Sequence, residues 1–163
     1  MAVFDCKQSI RLLRQADFVD AAELVNAFDS ISHLEVVYPG FCEWIDTKVI
    51  LGLRDGSRNV FVERVQGRIC GVAIAKRTVS ERKLCTLWVD RDARAAGVAG
   101  RLANEVFGWL GTEKPLFTVP DVSIDKFRSL LDRWGFAETQ VVPDIYRPGG
   151  REFVFNGILR LLS

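Results

Sequence analysis

The sequence predicts an α/β domain of the α+β kind, a mixed central sheet of about seven strands with four helices in the order βααβββαβαββ. Three observations predict it. Runs rich in β-branched and aromatic residues alternate with stretches whose apolar residues recur at helical spacing. Asn59 to Val65, Arg68 to Lys76 and Lys83 to Val89 follow one another with only Gln66-Gly67 and Ser80-Glu81-Arg82 between them, which is the pattern of an antiparallel meander. A stretch of small residues, Ala95 to Gly100, then joins a strand-like run to a helix-like one.

Each element has its own signal. Ile10 to Arg14 reads as a first strand. Asp17 is placed to cap a first helix, with Asp20 three residues on, and Phe18, Ala21, Val25 and Phe28 form its apolar stripe. Ser30 to Gly40 is less regular and is punctuated by Pro39-Gly40. Phe41, Ile45, Val49 and Gly52 suggest a second helix ending before Asp55-Gly56. After the meander a third helix starts near Gly97, with Val98, Leu102, Val106 and Trp109-Leu110 on its apolar side and Gly111 as its stop. Leu116 to Val119 is the next strand, ended by Pro120-Asp121. Asp121 or Ser123 is expected to cap a fourth helix with Phe127, Leu130, Leu131 and Trp134 apolar, ended by Gly135-Phe136. Val141-Val142 and Glu152 to Phe155 close the chain as a hairpin, with Pro148-Gly149-Gly150 in the turn.

The 163 residues are most simply one domain, 1–163, without repeats or a linker. Apolar residues make up 48% and charged residues 26%, the balance of a globular chain. A net charge of +1 gives no support for a nucleic-acid partner. No apolar run suggests a membrane span, and no basic segment with an apolar core opens the chain. Cys6, Cys42, Cys70 and Cys85 are scattered, and His33 is the only histidine, so no metal site is expected. Cys70 and Cys85 read as buried thiols of a reducing compartment, which points to a cytoplasmic protein.

Asp90 to Leu102 carries the most chemistry. Small side chains at Ala95, Ala96, Gly97, Ala99 and Gly100 let backbone N–H groups approach a bulky anion. The first turn of a helix leaves such groups unpaired, at the positive end of the helix dipole. Together they form a phosphate cradle. Gly97 and Ala99 are expected to fill this cradle rather than the core.

The spacing Arg-x-x-Gly-x-Ala over Arg94 to Ala99, after a strand and opening a helix, resembles the signature of the GNAT superfamily of N-acetyltransferases. Leu87-x-Val89 before it, Gly100-Arg101-Leu102 after it, and Trp134-Gly135-Phe136 further on are similar to that family's pattern, and the resemblance covers roughly residues 9 to 157. It implies the GNAT fold, with two neighbouring strands splayed around an acyl-pantetheine arm. It also implies acetyl-CoA as cosubstrate, with no metal, and acetyl transfer to a primary amine by direct attack in a ternary complex. The backbone of Leu87, Trp88 and Val89 would pair with the pantetheine arm, and that of Arg94, Ala95, Ala96, Gly97, Val98, Ala99 and Gly100 would hold the pyrophosphate. The Arg94 guanidinium either joins the phosphates or is a solvated loop group. Arg101 reads as a solvated face residue, and Lys126 as a surface lysine within reach of a ribose phosphate.

The chain departs from the family at the acid and base. Where many relatives place a glutamate on the fourth strand, this chain has Lys83, and where many place a tyrosine on the fourth helix it has Leu131. Tyr146 is the candidate catalytic residue, as the acid. By resemblance, residues 29 to 57 line the acceptor pocket, and here they include His33, Tyr38, Phe41 and Trp44 with Glu35, Glu43 and Asp46. Aromatic rings beside carboxylates suit a cationic amine on a small molecule or a protein. A homodimer is left open. The missing glutamate and tyrosine keep a second reading alongside, an acyl-CoA-binding sensor with little or no turnover.

Overall fold

The computed structural model of the chain describes residues 21–160. The strand expected at 10–14, the cap at Asp17 and the residues Cys6, Phe18 and Asp20 lie outside the described residues.

Strands β1 (Arg58–Val65) and β2 (Arg68–Arg77) form the expected hairpin, with Val65 opposite Arg68. Its turn residues Gln66 and Gly67 take φ of 51° and 79°. A two-residue turn with both φ positive matches the right-handed twist of the strands it joins. β3 (Arg82–Val89) pairs antiparallel with β2. Thr86 lies opposite Ile74 and Leu84 opposite Ala75, so Cys85 is the extra residue of a bulge. β4 (Leu116–Pro120), β5 (Glu138–Pro143) and β6 (Arg151–Phe155) complete a sheet of six described strands, in the order β1-β2-β3-β4-β6-β5. β6 enters between β4 and β5 and is antiparallel to both, while β3 and β4 are parallel.

Alternation along β2 feeds two cores. Val72 and Ile74 pack on one face with helix α1 (Ala21–Ile31) and the helical run of α2 (Phe41–Trp44), a π-helical stretch (Ile45–Val49) and α3 (Ile50–Asp55). Those three segments are the second helix expected from the sequence. Ala73 and Ala75 pack on the other face with α4 (Val98–Leu110) and α5 (Ile124–Trp134). The buried stripe of α4 is wider than its large residues suggested, because Ala99 and Ala103 join Val98, Leu102, Val106 and Leu110. Gly71 lets α4 come this close, since a Cβ there would lie 2.6 Å from Val98 Cγ1 and 2.8 Å from Leu102 Cδ1. The N-terminus of α4 is thereby pinned above β2 and β3. α5 begins after Ser123 as expected, but no side-chain cap forms there. Asp121, the other expected cap, instead binds Arg147 and Arg151. No described helix is long and apolar enough to cross a membrane.

Candidate active site

β3 and β4 are paired only at Lys83–Leu116 and Leu84–Phe117. Beyond those two pairs the strands part, directly after the Cys85 bulge. A bulge bends its strand and increases the local twist, which is a sufficient cause for the parting. Backbone groups of β3 on that side are left without a strand partner.

Three adjoining cavities lie along the gap. On one side lies a cleft of about 410 Å³, bordered by Leu87, Trp88, Val89, Arg94, Gly97, Ala99 and Gly100 on one wall and by residues of α5 on the other. A narrow middle section of about 70 Å³ runs between Cys85, Thr86 and Leu87 of β3 and Phe117, Thr118 and Val119 of β4. On the far side is a pocket of about 240 Å³ walled by Tyr38, Phe41, Trp44 and Tyr146. Adjacent sections share residues, Leu87 and Phe127 at the first junction and Tyr38, Cys85, Thr86 and Thr118 at the second.

At the cleft end the structure brings together residues that the sequence singles out, and Ala99 and His33 stand otherwise than expected. A 3-10 turn, Arg91–Ala96, leads to Gly97, whose φ of 74° opens α4. No side chain caps that helix, so its first N–H groups face the cleft unpaired. Gly100 lies in the first turn with nothing within 4 Å of where a Cβ would stand. Arg94, Lys126 and Arg133 border the same cleft and supply positive charge. Ala99, expected to fill the cradle alone, is 8% exposed and belongs to the core while bordering the cleft. Arg101 is exposed, as expected of a solvated face residue, and it also braces the approach, donating from Nη1 to the Ala96 carbonyl at 2.9 Å and from Nε to Glu63 at 3.3 Å. His33 stands edge-on to Trp88, 5.7 Å between centroids, on this cleft and not on the acceptor side.

The far pocket gathers only part of what was expected. Tyr38, Phe41 and Trp44 line it, but none of the three carboxylates does. Glu35 is spent on the backbone, accepting from Gly40 N at 2.7 Å and Cys42 N at 2.8 Å and so fixing the entry to α2. Glu43 is exposed, and Asp46 sits on the π-helical stretch with a buried Oδ1. The charged residue in the lining is Lys83, whose Nζ donates to Tyr146 Oη at 3.3 Å. Burial opposes its charge, yet Tyr146, Cys85 and Glu81 outweigh burial and hold its pKa above the usual value. The Cys85 thiol is pushed up by burial, so it stays protonated. Leu131, at the position of the family tyrosine, is 3% exposed and belongs to the core.

Tyr146 sits at the mouth of this pocket on the β5–β6 loop, edge-on to Tyr38 at 5.9 Å. The loop is fixed by Asp144, which accepts from Gly149 N at 2.6 Å, and by the Arg147–Asp121 ion pair.

Glu152 is the residue that sequence reasoning missed. It lies on β6, is 3% exposed, and accepts from Tyr38 Oη at 3.2 Å. Burial raises its pKa from 4.5 to about 7, against hydrogen bonds from Thr118 and Tyr38 and the nearby charge of Lys83. Burial, reinforced by the same carboxylate, holds the Tyr38 phenol well above its ordinary value. A carboxyl poised near neutrality and wired to the pocket wall through a phenol can take a proton from a bound amine. A lone glutamate in a terminal strand gives no sequence signal for this role.

Neither a family model nor a curated protein matches the sequence. Solved structures do match its fold. A GNAT-family acetyltransferase structure from Desulfovibrio desulfuricans superposes with a TM-score of 0.64 at 15% identity, over 82% of this chain and 90% of that one. An aminoglycoside 6'-N-acetyltransferase complexed with coenzyme A gives 0.58 at 14% identity, over 90% and 98%. A GNAT acetyltransferase from Elizabethkingia anophelis with acetyl-CoA bound gives 0.52 at 13% identity, over 67% and 81%. The parted parallel strands, the uncapped helix beside them and these superpositions agree: the chain has the fold of the GNAT-family acetyltransferases.

Proposed function

We propose that the protein binds acetyl-CoA and transfers the acetyl group to a primary amine by direct attack in a ternary complex. The observation that carries this reading is the row of adjoining cavities along the parted strands, with a phosphate-type cleft at one end and an aromatic pocket at the other. Two substrates entering from opposite sides meet at the parted strands, which supplies the proximity a bimolecular transfer needs. Acetyl-CoA, when bound, supplies an activated acyl group with a thiolate leaving group.

The residues of the cleft fit that cosubstrate. Backbone N–H groups of Gly97 to Gly100 would hold the pyrophosphate, where Gly100 leaves open space and α4 is uncapped. Arg94, Lys126 and Arg133 add charge there. The unpaired edge of Leu87 to Val89 would hold the pantetheine arm.

On the acceptor side, Tyr38 Oη takes a proton from the amine as it passes its own proton to Glu152. The phenol is neutral before and after, and Glu152 ends as the acid. Tyr146 Oη, oriented by Lys83, is the proton donor for the leaving group. Glu152 thus occupies, from another strand, the role left vacant by Lys83 and weakens the case for a sensor without turnover.

The test is a calorimetric titration with acetyl-CoA, followed by thiol release with a panel of primary amines on the same sample. Binding with amine-dependent release is expected. Binding without release for small amines and peptides favours the sensor, and no binding removes the cleft assignment.

A further inference from the structure

The acceptor pocket carries a charge that a plain amine does not call for. Its wall is aromatic, and its charged lining residue is a cation, Lys83. Behind Trp44 stands a second cation, Arg58, with its guanidinium carbon 5.4 Å from the ring centroid and Nη1 donating to Cys85 Sγ at 3.4 Å. Both are half-buried, and neither forms an ion pair among the described residues. The carboxylates whose charge reaches them have other partners, and Asp55, beside Arg58, accepts from Ser57 N at 2.8 Å. Glu81 pairs with Lys76 at 3.0 Å, and Glu152 is held by Tyr38 and Thr118. With no carboxylate within ion-pair distance of either cation among the described residues, a ligand anion can supply that direct partner. A polycationic acceptor would meet repulsion here.

Resting on the acetyl-transfer reading, we propose that the acceptor is an α-amino acid with an apolar or aromatic side chain, bound by its carboxylate to Lys83. Among the described residues Lys83 Nζ has one hydrogen-bond acceptor, Tyr146 Oη, which leaves two of its three N–H groups for a ligand. Phe41 and Trp44, 5.5 Å between centroids, supply the surface for the side chain. Lys83 and Cys85 are two residues apart on β3, about 6.5 Å along a strand. Lys83, Cys85 and Thr86 line the same pocket, so a carboxylate on Lys83 keeps the α-amine in the pocket that borders the parted strands. Lys83 also disfavours the protonated amine and so favours the nucleophilic form.

The test compares L-phenylalanine and L-leucine with their amides and with spermidine in thiol release. The amino acids are expected to exceed the amides in kcat/KM by about tenfold or more, the range of a charge-assisted hydrogen bond. In Lys83→Met, with Lys83→Gln as a second variant and unfolding temperature as the check on folding, that ratio is expected to collapse toward one. Tyr146 contacts Lys83, so absolute rates fall for both substrate types and only the ratio reads the proposal. A binding measurement separates this proposal from the transfer reading. N-acetyl-L-phenylalanine is titrated against its amide in the presence of coenzyme A, and the acid is expected to bind about tenfold tighter in the native protein only. Equal rates and affinities for acid and amide, preference for spermidine, or a ratio unmoved by Lys83→Met would overturn the proposal while leaving acetyl transfer intact.

Discussion

The two ends of the row of cavities are made of different material. The proposed coenzyme cleft is mostly backbone, with N–H groups of an uncapped helix, the free edge of a strand, and glycine where a side chain would intrude. The acceptor pocket is mostly side chains, drawn from the loop before α2, from α2, β3, β4 and the β5–β6 loop. A backbone site is specified by where small residues stand relative to a strand and a helix. A side-chain site is specified by which distant residues happen to meet. The first can be kept while most of the sequence changes. The second changes with single substitutions and can set a new acceptor on an old frame.

The comparison breaks most sharply at Gly100. Gly100→Glu places a negative side chain in the open space of the cradle without a steric clash, at a helical position where glycine itself is unfavourable by about 1 kcal/mol. Acetyl-CoA affinity is expected to fall by about a hundredfold or more while the unfolding temperature holds, read by calorimetry and thermal melts. Ala99 is the wrong place for this test, because enlarging it disturbs the core as well.

Glu152→Gln is the matching lesion at the other end. Loss of the base is expected to lower kcat by about 10²–10⁴-fold at constant acetyl-CoA affinity. A variant that keeps its rate would remove Glu152 from the chemistry.

The same residue predicts a pH signature in stability. The folded state holds the Glu152 proton up to about pH 7, whereas the unfolded chain releases it near 4.5. Its contribution is therefore present below pH 4.5 and is lost as pH rises through 7, by about 3 kcal/mol in total. Denaturant titrations at pH 5 and pH 8 should show this fall, and it should be absent in Glu152→Gln. Catalysis runs the other way, because the ionised base needed for turnover accumulates above pH 7.

Tyr146→Phe is the mildest change. Removing the acid from a reaction whose leaving group is already a fair one is expected to cost about tenfold in kcat, with acetyl-CoA affinity unchanged. An unchanged rate would confine Tyr146 to shaping the pocket with Tyr38.

The legibility of the molecule follows the same division. The meander, the α4 stripe and the Gly97 helix start could be read locally, because period, turn chemistry and glycine placement act over a few residues. Residues 29 to 57 were harder. Aromatic and acidic residues alternate there, but which of them turn inward depends on the packing of α1 and α2 against β2. Glu35 went to the backbone, and His33 lines the cleft with Trp88 instead of the far pocket. The bulge at Cys85 left no mark in composition, yet it stands where β3 and β4 part.

The sequence by itself determined the order of the described elements and the small-residue turn into α4 at Arg94 to Gly100, because both depend on periodicity and dihedral preferences within short stretches. Only the tertiary structure decided the proton relay. Tyr38 and Glu152 are 114 residues apart, and they meet because β6 enters the sheet beside β4 and carries Glu152 beneath the loop that holds Tyr38. The carboxyl owes its affinity for a proton to what buries it, and burial is a property of the assembled sheet.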